Sequence, residues 1–189
     1  MARPLSEEKR QAILQATIKL FAEEGINAST SKIAKLAKVS EGSIFTYFSN
    51  KDELMNQLYL ELKNELQATL TEMPEIDSLK ERIWFAWKSY VFWGVDHPEK
   101  HQVLAKLAMS SNVSNATKEL ANETFCDVSY LLEKAKKQGA LKDQSVEFIG
   151  ALLGAMGDVT MSFVRKNPSA SETLCKDGFT AFWNAITRT

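Results

Sequence analysis

Apolar positions along this chain recur every three or four residues, the period of a helix, and no stretch shows the alternation of a half-buried strand. Between residues 54 and 70 a leucine stands at every fourth position: Leu54, Leu58, Leu62, Leu66 and Leu70. Such a stripe is a core face or a packing seam. It predicts a helix over 51–70, ended by Met73-Pro74-Glu75. Ile13, Leu14, Thr17, Leu20 and Phe21 mark a helix over 6–24. Ser6 is placed to cap it, Glu7 and Glu8 suit its positive end, and Gly25 suits its stop. Further helices are predicted over 78–96, 98–110, 114–138, 143–166 and 171–186. Their inward positions are Val103, Leu104, Leu107 and Ala108, then Leu120, Phe125, Val128, Leu131, Leu132 and Ala135, then Leu174, Phe179, Phe182, Trp183 and Ile186. With two short helices between 29 and 51, the chain reads as all-α, about nine helices, with no internal repeat.

Those two short helices organise the rest. In Ser29 to Lys51, STSKIAKLAKVSEGSIFTYFSNK, the hydroxyls of Ser29 and Thr30 are both placed to cap a helix start. Ile33, Leu36 and Ala37 share one face of that helix. Val39-Ser40-Glu41-Gly42 breaks the period, and Ser40 can cap the next helix, whose apolar face is Ile44, Phe45 and Phe48. Glu41, Gly42, Ser43, Thr46 and Tyr47 are left pointing outward. Two helices this short bury little alone, so they lean on the helix over 6–24. A supported pair with small hydroxyls, a tyrosine and several lysines outside has the anatomy of a helix-turn-helix.

The run Ile33-Ala34-Lys35-Leu36-Ala37-Lys38-Val39-Ser40-Glu41-Gly42-Ser43-Ile44-Phe45-Thr46-Tyr47-Phe48, followed by Asn50-Lys51-Asp52-Glu53-Leu54, resembles the DNA-binding signature of the TetR/AcrR family of bacterial transcriptional regulators. The resemblance holds register from about Glu7 to Leu62. It departs from the family at Lys38, where Gly is usual in the turn, and in a link from Gly25 to Ile33 one residue shorter than is common, which leaves Ser29 and Thr30 both open as the cap. The resemblance implies a DNA-binding domain over 1–50 and a helical ligand-binding and dimerisation domain over 51–189, the helix over 51–70 being the lever between them. It implies that Glu41, Gly42, Ser43 and Thr46 face bases. Tyr47 and Lys51 would hold phosphates, and the helix start at Ser29, Thr30 and Ser31 would hold another. Glu41 either accepts from a cytosine amino group or merely caps. The Arg3-Pro4 arm before the first helix touches a groove or a phosphate, or is simply disordered.

The helix over 78–96 holds six of the eighteen aromatics: Trp84, Phe85, Trp87, Tyr90, Phe92 and Trp93. They point all round, which marks a buried helix. A core role accounts for them; within the resemblance some also line a cavity for an apolar or aromatic small-molecule effector. The candidate ligand-binding residues are Trp84, Trp87, Tyr90, Phe125 and Met156. Gly150, Gly154 and Gly157 each cost their helix about 1 kcal/mol relative to Ala. Close approach of another helix offsets that, either within the chain or from a second copy. In the resembling family the last two helices pair with their symmetry mates as a four-helix bundle. The candidate homodimer residues are Gly150, Gly154, Ala155, Asp158, Phe179 and Phe182. Asp158 alternatively anchors a cationic ligand or is solvated at a helix edge.

Charge sharpens this only slightly. The whole chain carries −1, but residues 1–51 hold eight Lys/Arg against five Glu, and 52–189 hold 15 against 19. A mildly basic head on an acidic body suits a site-specific DNA binder, although a split this small also arises by sampling. Cys126 and Cys175 read as buried free thiols, compatible with a reducing cytoplasm. The charged N-terminus is no signal peptide, and the apolar run Phe148 to Gly157 is short of a membrane span, so a cytoplasmic protein without a membrane partner is expected. His97 and His101 have metal-ligand spacing, but Pro98 starts a helix between them and no third ligand is placed, so they read as turn histidines and no metal is expected. No phosphate loop, nucleophile with a base, HExxH or paired-cysteine motif occurs; no catalytic residue, cofactor or enzyme activity is expected. A protein–protein adaptor would expose large apolar residues where Ser43, Thr46, Tyr47 and Lys51 stand. The resulting expectation is a ligand-responsive repressor that binds a near-palindromic double-stranded DNA operator as a dimer and is released by a small molecule.

Overall fold

The computed structural model describes residues 6–70, 77–137 and 139–187; the Arg3-Pro4 arm and the stop at Met73-Pro74-Glu75 lie outside them. The chain is all-α. Its described helices are α1 (Glu7–Glu24), α2 (Thr30–Ala37), α3 (Glu41–Tyr47), α4 (Lys51–Ala68), α5 (Leu79–Asp96), α6 (Pro98–Ala108), α7 (Asn115–Glu123), α8 (Cys126–Lys136), α9 (Val146–Lys166) and α10 (Ser171–Thr187), with a 3-10 turn, Pro168–Ala170, before the last. Serines start six of them. Ser6, Ser29, Ser40, Ser78 and Ser145 accept the backbone N–H of Lys9, Lys32, Ser43, Glu81 and Phe148, and Ser114 accepts the Thr117 N–H ahead of α7 at 3.1 Å, each satisfying one donor that the first turn leaves open. Asn50 does the same for α4, its Oδ1 accepting from the Glu53 N–H at 2.8 Å.

One expected helix is two. The stretch 114–138 breaks at Thr124-Phe125, both weak helix formers; Phe125 sits at φ −107°, ψ 18° before α8, without a capping side chain. Leu120, expected inside, is 52 % exposed, and Ala121 is the buried residue of α7.

The chain packs as two units. The first comprises the described residues up to 64 together with Pro98–Ala121. Here α1 packs against α2 and α6, and α2 against α3. Ile13, Leu14, Phe21, Ile33, Ile44, Phe48, Leu54, Leu58, Leu62 and Leu107 are buried, so the leucine stripe of α4 faces inward as its spacing requires. Polar bonds fasten the later segment to the earlier one. The Lys106 ammonium donates to the carbonyls of Phe21 at 3.0 Å and Ala22 at 3.4 Å, at the end of α1. Asn56 of α4 donates to the Asn112 carbonyl at 3.0 Å and accepts from the Ser114 N–H at 3.0 Å and the Thr117 hydroxyl at 2.5 Å.

The second unit comprises Glu65–His97 and the described residues from Asn122 onward. Ile83, Trp87, Val91, Leu131, Leu132, Ile149, Met161, Cys175, Phe179, Phe182 and Ile186 form its core. The Trp87 ring stacks on Phe182 with centroids 5.8 Å apart, and its indole N–H donates to the Cys175 carbonyl at 3.0 Å. A Cβ on Gly178 would collide with Thr160 and press on Trp87, so α10 lies this close to α9 and α5 only because the residue is glycine. α9 is long and apolar enough, by length and composition alone, to cross a membrane, and reaches well beyond the run 148–157. It nevertheless packs against α5, α8 and α10 and carries Glu147, Asp158, Arg165 and Lys166.

The cysteines part company. Cys175 is buried and Cys126 is exposed, which corrects the expectation of two buried thiols. Burial pushes the Cys175 thiol up to about 11. The reactive thiolate of Cys175 is therefore scarce at pH 8. An aromatic disulfide reagent at pH 8 should titrate one thiol per native chain, Cys126, and the second only in denaturant. Two fast native equivalents would contradict the packing around Trp87.

Candidate nucleic-acid interface

The first unit builds a surface from α2, the turn and α3. Ser29, not Thr30, is the cap of α2, its hydroxyl accepting from the Lys32 N–H at 3.3 Å. Thr30 and Ser31 are then the first helical residues, and their N–H groups have no acceptor within the helix. The turn is made by Lys38, at φ 56° and ψ 40°, the one positive-φ residue besides glycine among the described residues. That conformation costs a lysine about 1 kcal/mol. The Lys38 N–H returns to the Lys35 carbonyl at 3.3 Å and the Val39 N–H to Ala34 at 3.0 Å, closing the corner.

Support and display separate differently from the expected faces. Ile33, Ala34, Ile44 and Phe48 are buried, whereas Leu36 is 41 % and Phe45 46 % exposed. α3 is under two turns long, and Ile44 and Phe48, four apart, already anchor it. Phe45 is rotated about 100° from Ile44 and joins the outer stripe of Glu41, Gly42 and Thr46, all exposed. A Cβ built on Gly42 would meet nothing within 4 Å, so nothing inside the chain requires glycine there.

The polar groups of this surface are engaged with one another. The Thr30 hydroxyl donates to Glu41 Oε1 at 2.5 Å. Ser43 and Ser40 share a hydroxyl–hydroxyl bond of 2.7 Å, and the Thr46 hydroxyl donates to the Gly42 carbonyl at 3.2 Å. The Tyr47 hydroxyl accepts the Ser6 N–H at 3.1 Å, tying α3 to the start of α1 while keeping its own proton to give. Lys51 opens α4 with its ammonium 5.8 Å from the centroid of the Phe21 ring. Its pKa is pulled down by partial burial, against a smaller upward pull from Asp52. Lys32 is paired with Glu24 at 2.7 Å, while Lys35 and Lys38 are exposed.

In the second unit the other candidates scatter. Tyr90 and Phe125 line a small apolar cavity of about 70 Å³ with Leu66, Leu70, Ala86, Val128 and Leu153. Trp84 instead walls an open groove of about 450 Å³ with Lys80, Glu81, Lys176, Phe179 and Thr180. Trp87 is fully buried in the core and Met156 packs on it, so neither reaches that cavity. Aromatics placed all round α5 necessarily face different neighbours. Tyr90 lies against Gly157, where a Cβ would stand 2.6 Å from its ring, and its hydroxyl donates to Asp158 at 2.8 Å. Burial and then the Asp158 charge push the Tyr90 phenol upward.

Phe179 and Phe182, expected at a dimer interface, are 4 % and 0 % exposed, because they face α5 and fill their own chain's core. The outer face of α9 carries Phe148, Ala151, Ala155, Val159 and Phe163, all exposed and three or four residues apart. A Cβ on Gly150 or Gly154 would meet nothing within 4 Å. His97 caps the end of α5, its ring edge-on to Trp93 at 6.0 Å.

The family model described as bacterial regulatory proteins, tetR family, matches residues 13–58. An HTH-type transcriptional regulator of Haemophilus influenzae is 29 % identical over 149 residues, 78 % of each chain. The HTH-type transcriptional regulator HbdR of an Aromatoleum species is 45 % identical over 71 residues, 37 % of this chain and only 30 % of its own length. A solved tetR family transcription regulator from Shewanella sp. PV-4 superposes with a TM-score of 0.83 at 24 % identity, covering 96 % of this chain and 99 % of that one.

Proposed function

This chain belongs to the tetR family of bacterial regulatory proteins, DNA-binding transcription regulators rather than enzymes, and on that premise we propose a repressor that binds a near-palindromic operator as a homodimer and leaves it when a small molecule binds. The observation that carries this is the outward stripe Glu41-Gly42-Phe45-Thr46 on a helix held by Ile44 and Phe48. In this reading α3 lies in the major groove, and Glu41, Gly42, Ser43 and Thr46 face bases. Tyr47 gives its remaining proton to a phosphate, Lys51 adds charge to another, and Ser29, Thr30 and Ser31 offer the N–H groups of α2. Residues 1–50, with Lys51 at the start of α4, serve DNA, and the rest of 51–189 serves effector and partner. With DNA as partner, the protein acts in the cytoplasm.

One head makes too few contacts for operator affinity, and two heads reading half-sites about 34–36 Å apart supply them. The outer stripe of α9 supports the pairing: Ala151, Ala155 and the open Gly150 and Gly154 let a second helix approach, and Phe148, Val159 and Phe163 supply apolar area. A Val159→Glu substitution places a charge in that seam and should turn the dimer into a monomer in sedimentation, with operator affinity lost at concentrations where wild type saturates. A dimer that survives this change would move the interface elsewhere. The effector's place is the cavity at Tyr90 and Phe125. Its walls are hydrocarbon and aromatic, and Asp158 is bonded to the Tyr90 hydroxyl, so the supported class is an uncharged apolar or aromatic group. An effector that binds one setting of α4 better than the other shifts the spacing of the two heads.

The test is selection of bound duplexes from random genomic fragments, followed by anisotropy titration at two salt concentrations. A site enriched and bound two subunits per duplex, with affinity falling steeply as salt rises, supports the reading. No enriched site, or binding insensitive to salt, defeats it.

A further inference from the structure

Resting on the DNA-binding reading above, we propose that Phe45 is a specificity-determining residue, which selects thymine by apolar contact with its C5-methyl group in the major groove. The stripe facing outward from α3 holds two kinds of chemistry, and only the polar kind is already engaged in bonds within the protein: Glu41 to the Thr30 hydroxyl, Ser43 to Ser40, and Thr46 to the Gly42 carbonyl. Breaking those bonds to reach a base returns little, since one hydrogen bond is exchanged for another. The apolar groups have no such prior claim. The Phe45 ring is 46 % exposed although it stands between the two buried anchors of its own helix, Ile44 and Phe48.

Its neighbours make the ring accessible. Gly42, three residues before it on the same face, carries no side chain, and a Cβ there would meet nothing within 4 Å. Thr46 stands beside it, and with its hydroxyl turned to the backbone of its own helix it has its methyl group left to offer. Glu41, at the start of the stripe, repels phosphate, so it is best placed over the groove floor and not its walls. A ring beside a methyl and a bare backbone is a flat apolar platform. In the major groove the one apolar feature that base pairs present is the thymine methyl. The platform therefore discriminates thymine from cytosine and from uracil without a hydrogen bond.

The test uses the selected operator, with each thymine of a half-site replaced in turn by deoxyuridine, which removes the methyl and alters no hydrogen-bonding group. At one or two positions wild type should lose about fourfold in affinity per half-site, the value of one buried methyl group. Restoring the methyl by 5-methylcytosine at a cytosine placed in that position should recover part of the loss relative to cytosine. Phe45→Ala should bind the thymine operator more weakly and show no difference between thymine and uracil there, while its thermal midpoint stays near that of wild type, since the ring is half exposed. Phe45→Leu should keep part of the discrimination. If wild type is indifferent to deoxyuridine at every position, or if Phe45→Ala discriminates as wild type does, the assignment is overturned. A failure to enrich any operator would instead defeat the DNA-binding reading itself, so the two failures are distinguishable.

Discussion

Replacing Tyr47 and Lys51 together with alanine should weaken operator binding on the order of a hundredfold at moderate salt, because the proposed dimer would then lose four phosphate ligands, two of them charged. The two residues fail differently. In the proposed interface Lys51 would contribute a charge, so Lys51→Ala alone should lower the slope of log affinity against log salt by about two per dimer. Tyr47 would contribute a neutral donor, so Tyr47→Phe should reduce affinity with the slope unchanged. Tyr47 also accepts the Ser6 N–H, and either substitution at 47 leaves that group to water, at about 1 kcal/mol of stability. Affinity measured at three salt concentrations, beside thermal midpoints for each variant, separates the roles. Wild-type affinity in the double variant would remove both residues from the interface.

The second large effect belongs to the other unit. Trp87→Ala should destabilise the protein by about 3–5 kcal/mol in urea unfolding, the range for emptying a fully buried aromatic site. The indole is fully buried, stacked on Phe182 and tilted against Phe179 at 6.2 Å, and it donates to the Cys175 carbonyl. Trp87→Phe keeps most of the volume and the ring contacts and loses only the N–H, so it should cost roughly a third as much. A loss below about 1 kcal/mol for alanine would mean that α5 and α10 do not meet through this ring.

How far the sequence could be read depends on how much of each helix is exposed. Where one face is apolar and the other charged, as in α1 and α4, phase follows from spacing, and Leu54, Leu58 and Leu62 are buried as expected. The caps at Ser6 and Ser40 were legible because a hydroxyl stands just before the first apolar-periodic residue, whereas the choice between Ser29 and Thr30, and the caps at Asn50, Ser78, Ser114 and Ser145, needed the backbone. The strained turn at Lys38 was legible from one of the two departures in an otherwise regular motif. Short or wholly apolar helices give no such phase. In α3 three apolar residues compete for a face that holds two, and nothing in the letters says that Phe45 is the one left out. In α5 the six aromatics carry no direction, so Trp87 in the core, Tyr90 at the cavity and Trp84 on the groove look alike. For α10, Phe179 and Phe182 share their period with residues that would face a partner, and only packing against Trp87 settles which neighbour they have.

The bonds from Lys106 and Asn56 have a bearing on the order of events at the ribosome. The unit that carries α3 is not a continuous piece of chain, because it also takes in Pro98–Ala121. Nascent chains grow at about 5–20 residues per second and domains fold as they emerge. α1 to α4 are thus complete several seconds before the segment that bonds the Ala22 carbonyl and the Asn56 Oδ1, and adds second bonds to the Phe21 carbonyl and the Asn56 Nδ2, has been made. Until then those groups stay hydrated and the apolar face that α6 covers on α1 stays open. The unit that carries α3, although its first helices precede α5 in the chain, is finished only after the whole of α5 has been translated. Synthesis therefore binds the appearance of that unit to that of the part expected to receive the effector.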